Sequence, residues 1–161
     1  RSFFDATLEL VSEHPRFDFY DARSPIFTRP RTLPSSEVVD SRINRALIAE
    51  GCIIRRAEIS NSVVGIRSVI DEGSVLENVV MMGCDDYDEP RMPDSGSFVG
   101  LGLGRDVVVS NAIIDKNARI GDGVRILNEK GVQNDEGPFH WVRDGIVIVP
   151  KGITIPPGTV I

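Results

Sequence analysis

Aliphatic side chains recur along most of this chain at a spacing of about six residues. Each begins a unit in which a small or aliphatic residue stands four positions later, and the units begin at Ile48, Ile59, Val64, Ile70, Leu76, Leu103, Val109, Ile114, Ile120, Val149 and Ile155. A helix would repeat about every 3.6 residues and an alternating strand every two. A six-residue period instead suits stacked coils whose flat sides are short strands and whose corners are turns. The pattern predicts an all-β fold, a parallel β-helix of hexapeptide repeats.

Two segments break this period. Residues 83–102 contain several acidic residues and glycines, and residues 127–145 are rich in Asn and Gly. Both are predicted to be loops that leave the coil and return to it. Solenoids tolerate such insertions, which are often placed on the functional side. We expect a β-helix domain over residues 41–161 with loops at 83–102 and 127–145.

The first 40 residues have a different pattern. Ser2 and Asp5 resemble a helix-capping pair, and Phe4, Leu8 and Val11 have the spacing of one helical face. The His14-Pro15 pair is expected to end this short helix. Residues 17–34 carry aromatic residues and prolines, which predicts extended chain. Since the sequence opens on Arg1, we expect residues 1–40 to be the end of a preceding domain and a junction.

Composition narrows the function. Acidic residues outnumber basic ones by 24 to 18, giving a net charge of -6 over 161 residues. Nucleic-acid binding normally requires a basic face, so a nucleic-acid partner is not expected. No apolar run reaches the roughly 18 residues of a membrane span, so no membrane partner is expected either. Cys52 and Cys84 are too few for a disulfide framework, and Cys52 falls in a small inward position where a buried structural role is expected.

Candidate chemistry is sparse. With His14 and His140 as the two histidines, neither a metal site nor a catalytic residue is predicted. Basic residues are the remaining candidates, and they are Lys116, Arg119, Lys151, Arg29 and Arg31. If they converge on one face they would form an anion site, whereas separately they would be ordinary solvated charges.

Strings between the repeats resemble the ADP-glucose pyrophosphorylase (glucose-1-phosphate adenylyltransferase) family. They include Phe17-Asp-Phe-Tyr-Asp21, Pro25-Ile-Phe-Thr28, Ser62-Val-Val-Gly65, Met81-Met-Gly83, Ile113-Ile-Asp-Lys-Asn-Ala-Arg-Ile-Gly121, Gly131-Val-Gln133 and Asp144-Gly-Ile-Val147. The resemblance covers almost the whole chain, and these strings are more specific than the hexad period. It implies that the β-helix is left-handed and that it is the C-terminal part of the enzyme.

The resemblance also implies a function. The parent enzyme joins ATP and glucose 1-phosphate with Mg²⁺, making ADP-glucose and pyrophosphate for glycogen or starch. Its catalytic motifs lie in an N-terminal domain, so this segment should hold no cofactor and have no turnover alone. The β-helix would serve regulation and assembly of a homo- or hetero-tetramer, in bacterial cytoplasm or a plastid. Open alternatives are a catalytically silent subunit, a nucleotidyltransferase for another sugar, and a free-standing acyltransferase.

Site residues carry over one by one from the resemblance. Lys116 and Lys151 match lysines that bind a phosphorylated effector in the cyanobacterial and plant branch, where 3-phosphoglycerate activates and phosphate inhibits. Arg31 matches a neighbouring anion-binding arginine. Arg119 lies in the same string as Lys116, and Arg29 stands where that branch often has glutamine. All five are predicted to bind a phosphorylated metabolite.

Overall fold

The computed structural model describes residues 1–28, 30–88 and 99–161, and within these it has one α-helix and fourteen β-strands. In chain order they are α1 (Ser2–Glu9), β1 (Glu37–Val39), β2 (Arg42–Ile48), β3 (Ile53–Arg55), β4 (Glu58–Val64), β5 (Val69–Ile70), β6 (Val75–Met81), β7 (Gly102–Leu103), β8 (Val108–Ile114), β9 (Arg119–Ile120), β10 (Arg125–Ile126), β11 (Asn134–Glu136), β12 (Trp141–Arg143), β13 (Ile146–Val149) and β14 (Thr154–Ile155). Of the predicted loop at 83–102, residues 89–98 lie outside the described residues.

The strands form two sheets in which neighbours come from successive coils. The first has the order β1-β3-β5-β7-β9-β14, and all of its pairs are parallel. The second runs β2-β4-β6-β8-β13 in parallel and continues into β12 and β11, which are antiparallel. Strand β10 also pairs with β8 in parallel. The predicted β-rich coil with parallel stacking is therefore present.

The core is a set of aliphatic columns that run through the stacked coils. Ile59 lies opposite Ile43 on one side and Leu76 on the other, and Ile54 and Leu103 flank Ile70 in the same way. Ten of the eleven predicted inward positions are almost fully buried, at 0–2 % exposure, and they are Ile59, Val64, Ile70, Leu76, Leu103, Val109, Ile114, Ile120, Val149 and Ile155. The eleventh, Ile48, is only partly buried and packs against this core. Their burial supplies most of the hydrophobic stabilisation.

The period is not six on every side of the coil. Ile59 and Val64 are five positions apart, as are Leu76 and Met81, whereas Val64 and Ile70 are six apart. Strands β2, β4, β6 and β8 pass through a bend at a residue with positive φ, and these residues are Arg45, Asn61, Asn78 and Asn111. Asn tolerates this left-handed conformation better than most residues. The tight bend shortens that side by one residue.

The helix lies against the outer side of the second sheet. Phe4 is 6 % exposed and packs with Val80 and Ile146, so the predicted apolar face is confirmed. The predicted cap at Ser2 is wrong. Arg1 is the N-cap residue, and no side chain caps the helix. The Asp5 carboxylate instead accepts a hydrogen bond of 3.2 Å from the Arg1 guanidinium.

The second predicted loop leaves the coil at a corner. Asn128 has a φ of 48° and its amide bonds the carbonyls of Val132 and Gly145, which closes the base of the excursion. Within residues 127–145 the chain forms the antiparallel pair β11–β12. The chain then rejoins the coil as β13 on β8. The excursion is thus an ordered hairpin with a fixed point of departure.

Candidate functional site

The first excursion begins beside the corner where two predicted site residues lie. After β6, Gly83 has a φ of 85° and Cys84 is fully buried. The Asp85 backbone N–H donates to Asn117 Oδ1 at 2.8 Å. This contact spans 32 positions and fixes the Asp85 backbone above the β8–β9 corner.

Lys116 and Lys151 occupy the same corner in successive coils. Lys116 precedes Asn117, which has a φ of 60°, and Lys151 precedes Gly152, which has a φ of 69°. The Gly152 N–H donates to the Lys116 carbonyl at 2.9 Å, so the two corners stack directly. Both side chains therefore leave the coil at the same place.

Both ammonium groups converge on one carboxylate. Lys116 Nζ lies 2.6 Å from Asp85 Oδ1, and Lys151 Nζ lies 3.2 Å from Asp85 Oδ2. Asn117 Nδ2 donates to the same Oδ2 at 3.0 Å. Hydrogen bonds from Lys116, Asn117 and Lys151 hold the pKa of the Asp85 carboxyl far below its ordinary value. Asp85 is therefore ionised throughout the neutral range.

An open cleft of about 880 Å³ adjoins this cluster. Lys116 and Asp85 line it, and the lining also includes Arg31, Arg67 and Glu50. Opposite charges are thus interspersed around a space large enough for a small metabolite.

Arg67 is held in place by the start of the excursion. Its guanidinium lies 5.8 Å from the centre of the Tyr87 ring, a cation–π distance. The Tyr87 hydroxyl donates to the Gly51 carbonyl at 2.8 Å. These contacts orient Arg67 on the cleft wall.

Arg119 makes different contacts. Its two terminal nitrogens bond the Asp88 carboxylate at 2.9 and 2.7 Å, a bidentate pair. One of them also donates to the Val99 carbonyl at 2.9 Å. Arg119 therefore holds together the two described ends of the first excursion.

The model of the GLGC left-handed parallel β-helix domain family matches residues 31–160. The chain belongs to this family. It is 40 % identical over 166 residues to "Glucose-1-phosphate adenylyltransferase large subunit 1, chloroplastic/amyloplastic" of Zea mays, covering 100 % of this chain and 32 % of the relative. It is 41 % identical over 167 residues to the corresponding "small subunit" of Triticum aestivum, covering 99 % of this chain and 35 % of the relative. The chain thus spans about a third of the length of these curated relatives.

The match confirms the predicted resemblance and the left-handed β-helix class. In this GLGC β-helix domain, Lys116 and Lys151 come together through Asp85, and Arg31 lines the adjoining cleft. Arg119 pairs with Asp88, and Arg29 lies outside the described residues. Effector binding by these five residues stays a prediction.

Sequence reasoning missed Asp85, Asn117 and Arg67 as members of the cluster. Asp85 is 31 positions from Lys116 and 66 from Lys151, so no local spacing indicated their contact. Asn117 and Arg67 share a positive φ at coil corners, a feature that the structure shows and the sequence does not.

The described residues contain no helix of the length and apolar character needed to cross a bilayer. In the same part of the chain, no group of three or more His, Cys, Asp or Glu side chains is placed to hold a metal ion.

Proposed function

We propose that this chain is the C-terminal regulatory and assembly part of a glucose-1-phosphate adenylyltransferase. The names of the two relatives support this activity for the whole enzyme. ATP, Mg²⁺ and glucose 1-phosphate would bind in a separate N-terminal catalytic domain.

We further propose that the corner cluster binds a phosphorylated metabolite. The observation that carries this proposal is the convergence of the Lys116 and Lys151 ammonium groups, on stacked corners, at one anionic group. A sugar-acid phosphate carries about two to three negative charges and needs several charge-assisted hydrogen bonds. Two lysines on a rigid coil, with Arg31 lining the same cleft as Lys116, offer such donors.

Residues 1–40 would join the β-helix to the catalytic domain. Phe27 is 91 % exposed and Tyr20 is 84 % exposed. These exposed rings would be available for contact with the catalytic domain. An effector in the cleft beside this junction would bias the arrangement of the two domains, and such couplings are typically about 1–3 kcal/mol.

The assembly and location follow the same proposal. Relatives named as large and small chloroplastic subunits support a hetero-oligomer in a plastid, for which we propose a hetero-tetramer. A homo-tetramer in bacterial cytoplasm would be the corresponding bacterial form. Sedimentation of the complete enzyme as a tetramer is the expected result.

The test is activation of the complete enzyme by 3-phosphoglycerate. Lys116→Ala and Lys151→Ala each remove one charged hydrogen-bond donor, worth about 1.5–3 kcal/mol. Each should raise the half-activating concentration about 10- to 100-fold. Lys130→Ala, which removes an exposed lysine on the hairpin excursion, is the matched control and should change nothing. Equal activation in all four proteins would contradict the effector site.

A catalytically silent subunit is the second candidate. The chain is almost equally identical to a large subunit and to a small subunit, and this observation supports the silent subunit as a candidate. Turnover of the complete chain purified without a partner subunit, assayed as pyrophosphate release from ATP and glucose 1-phosphate, distinguishes the two. Replacing glucose 1-phosphate by other sugar 1-phosphates in that assay tests a different sugar specificity.

A further inference from the structure

Asp85 occupies the position that an anionic ligand of the corner cluster would take. Its two carboxylate oxygens are shared between Lys116, Lys151 and Asn117, at distances of 2.6, 3.2 and 3.0 Å. A carboxylate or phosphate from solution would need these same donors. The site in this structure is therefore filled by a group of the protein itself.

We infer that Asp85 is an internal competitor at this site and that it sets which anions bind there. This inference rests on the proposed function and deepens it. To bind, an external anion must displace the Asp85 carboxylate from the two ammonium groups. A ligand with more negative charge than one carboxylate makes stronger contacts with both lysines than Asp85 does. A monoanion only exchanges one single negative charge for another and gains no such advantage.

Displacement requires no unfolding of the coil. The Asp85 side chain is 39 % exposed and the Lys116 side chain 30 % exposed, so both groups already contact solvent. The Asp85 backbone is held separately, by its N–H bond to Asn117 Oδ1. The carboxylate can therefore rotate away while its backbone stays fixed above the corner.

The position of Asp85 in the chain also favours this role. It lies at the start of the first excursion, and its neighbour Tyr87 is bonded to Gly51 and contacts Arg67. Arg67, Lys116 and Asp85 line one cleft. Displacing the carboxylate would leave it facing an arginine-lined space instead of apolar surface.

The size of the effect follows from competition. When a site is free for only a fraction of the time, the apparent dissociation constant of its ligand equals the intrinsic constant divided by that fraction. If the Asp85 carboxylate holds the site about nine-tenths of the time, its removal strengthens ligand binding about tenfold. A tethered group reaches such occupancy readily, since its effective concentration is on the order of millimolar or higher.

The test is calorimetric titration of the complete protein with inorganic phosphate and with acetate. Asp85→Asn keeps the shape of the side chain and removes its charge, and Asp85→Ala removes the competing group altogether. The matched control is Asp86→Asn, which neutralises the exposed neighbouring carboxylate. Circular dichroism establishes that each variant is folded, and Lys116→Ala identifies which part of the binding belongs to this site.

We expect both Asp85 variants to bind phosphate about tenfold more tightly in a Lys116-dependent manner, and to gain binding of acetate. Asp86→Asn should resemble the wild type. Unchanged or weaker phosphate binding by both Asp85 variants would overturn the inference, because Asp85 would then organise the lysines or do nothing. The proposed function would survive that result if the wild type still bound phosphate through Lys116. Failure of every variant to show Lys116-dependent binding would overturn both.

Discussion

The core column that contains Ile43 and Ile59 allows one sharp test of the fold. Both residues are isoleucines at equivalent positions of neighbouring coils, and they lie opposite each other in the β2–β4 register. Ile59 is covered on its other side by Leu76 and is 1 % exposed. Ile43 lies on the edge strand of its sheet and is 37 % exposed. Replacing each isoleucine by alanine removes the same atoms, and the two replacements differ only in how much of the side chain the neighbouring coils bury.

The expected destabilisation can be worked out for each. An Ile→Ala replacement removes three carbon atoms, about 2.4 kcal/mol of transfer free energy at about 0.8 kcal/mol each. At Ile59 the enclosed cavity adds about 1–2 kcal/mol, for a total of about 4 kcal/mol. At Ile43 about two thirds of the transfer term applies, and water fills the gap, so we expect about 1.5 kcal/mol.

Urea unfolding followed by far-UV circular dichroism measures both values from the same wild-type reference. The urea m-value should be unchanged, since neither replacement alters the surface exposed on unfolding. An equal loss for the two variants would refute the reasoning, because it would mean that Ile43 is covered as fully as Ile59. A loss below about 1 kcal/mol for Ile59→Ala would refute the column itself as the core.

Two further outcomes are expected. Burial raises the pKa of both the Cys52 and the Cys84 thiol. At pH 8 the native protein should therefore react with a disulfide reagent far more slowly than the urea-unfolded chain. Equal rates would show that the thiols are accessible in the native protein. Asn78 has a φ of 55° and its side chain accepts a 2.6 Å hydrogen bond from Asn61. Asn78→Ala should therefore lower the free energy of unfolding by about 1–2 kcal/mol. Asn78→Gly should lower it less, because glycine adopts this backbone conformation without strain. Thermal melts in which the glycine variant is the less stable of the two would contradict this explanation.

The coil architecture was predictable from the sequence because the same aliphatic position recurs in every coil. One aliphatic residue alone is weak evidence for this fold, but the columns that join Ile59 to Leu76 and Ile70 to Leu103 require aliphatic residues at a regular spacing, and that spacing is visible in the sequence. The shortened side was harder to predict. It depends on Asn61 and Asn78 accepting a left-handed backbone, and Asn is equally common in ordinary turns.

The candidate site was predictable only in part. Lys116 and Lys151 were found from a family resemblance, which identifies residues without showing what they contact. Their shared partner Asp85 lies in an excursion whose own sequence has no periodic pattern. Contacts between an excursion and the coil, such as those of Asp85 with the two lysines, depend on where the chain re-enters the coil. The amino-acid composition of the excursion does not show that position. The absence of a side-chain cap at Ser2 has a similarly local cause, since Arg1 engages Asp5 instead.

The winding of the chain has a consequence for how insertions are tolerated. Partners in adjacent coils are usually 16 or 17 positions apart, as for Ile54 with Ile70 and Ile59 with Leu76. Across the two excursions the separation doubles, to 33 for Ile70 with Leu103 and to 35 for Ala112 with Val147. Doubling a loop adds only about 0.6 kcal/mol of closure entropy, less than the burial of one methylene contributes. Segments such as the one that carries Asp85 can therefore lengthen or change at a coil corner while the columns beneath them keep their register.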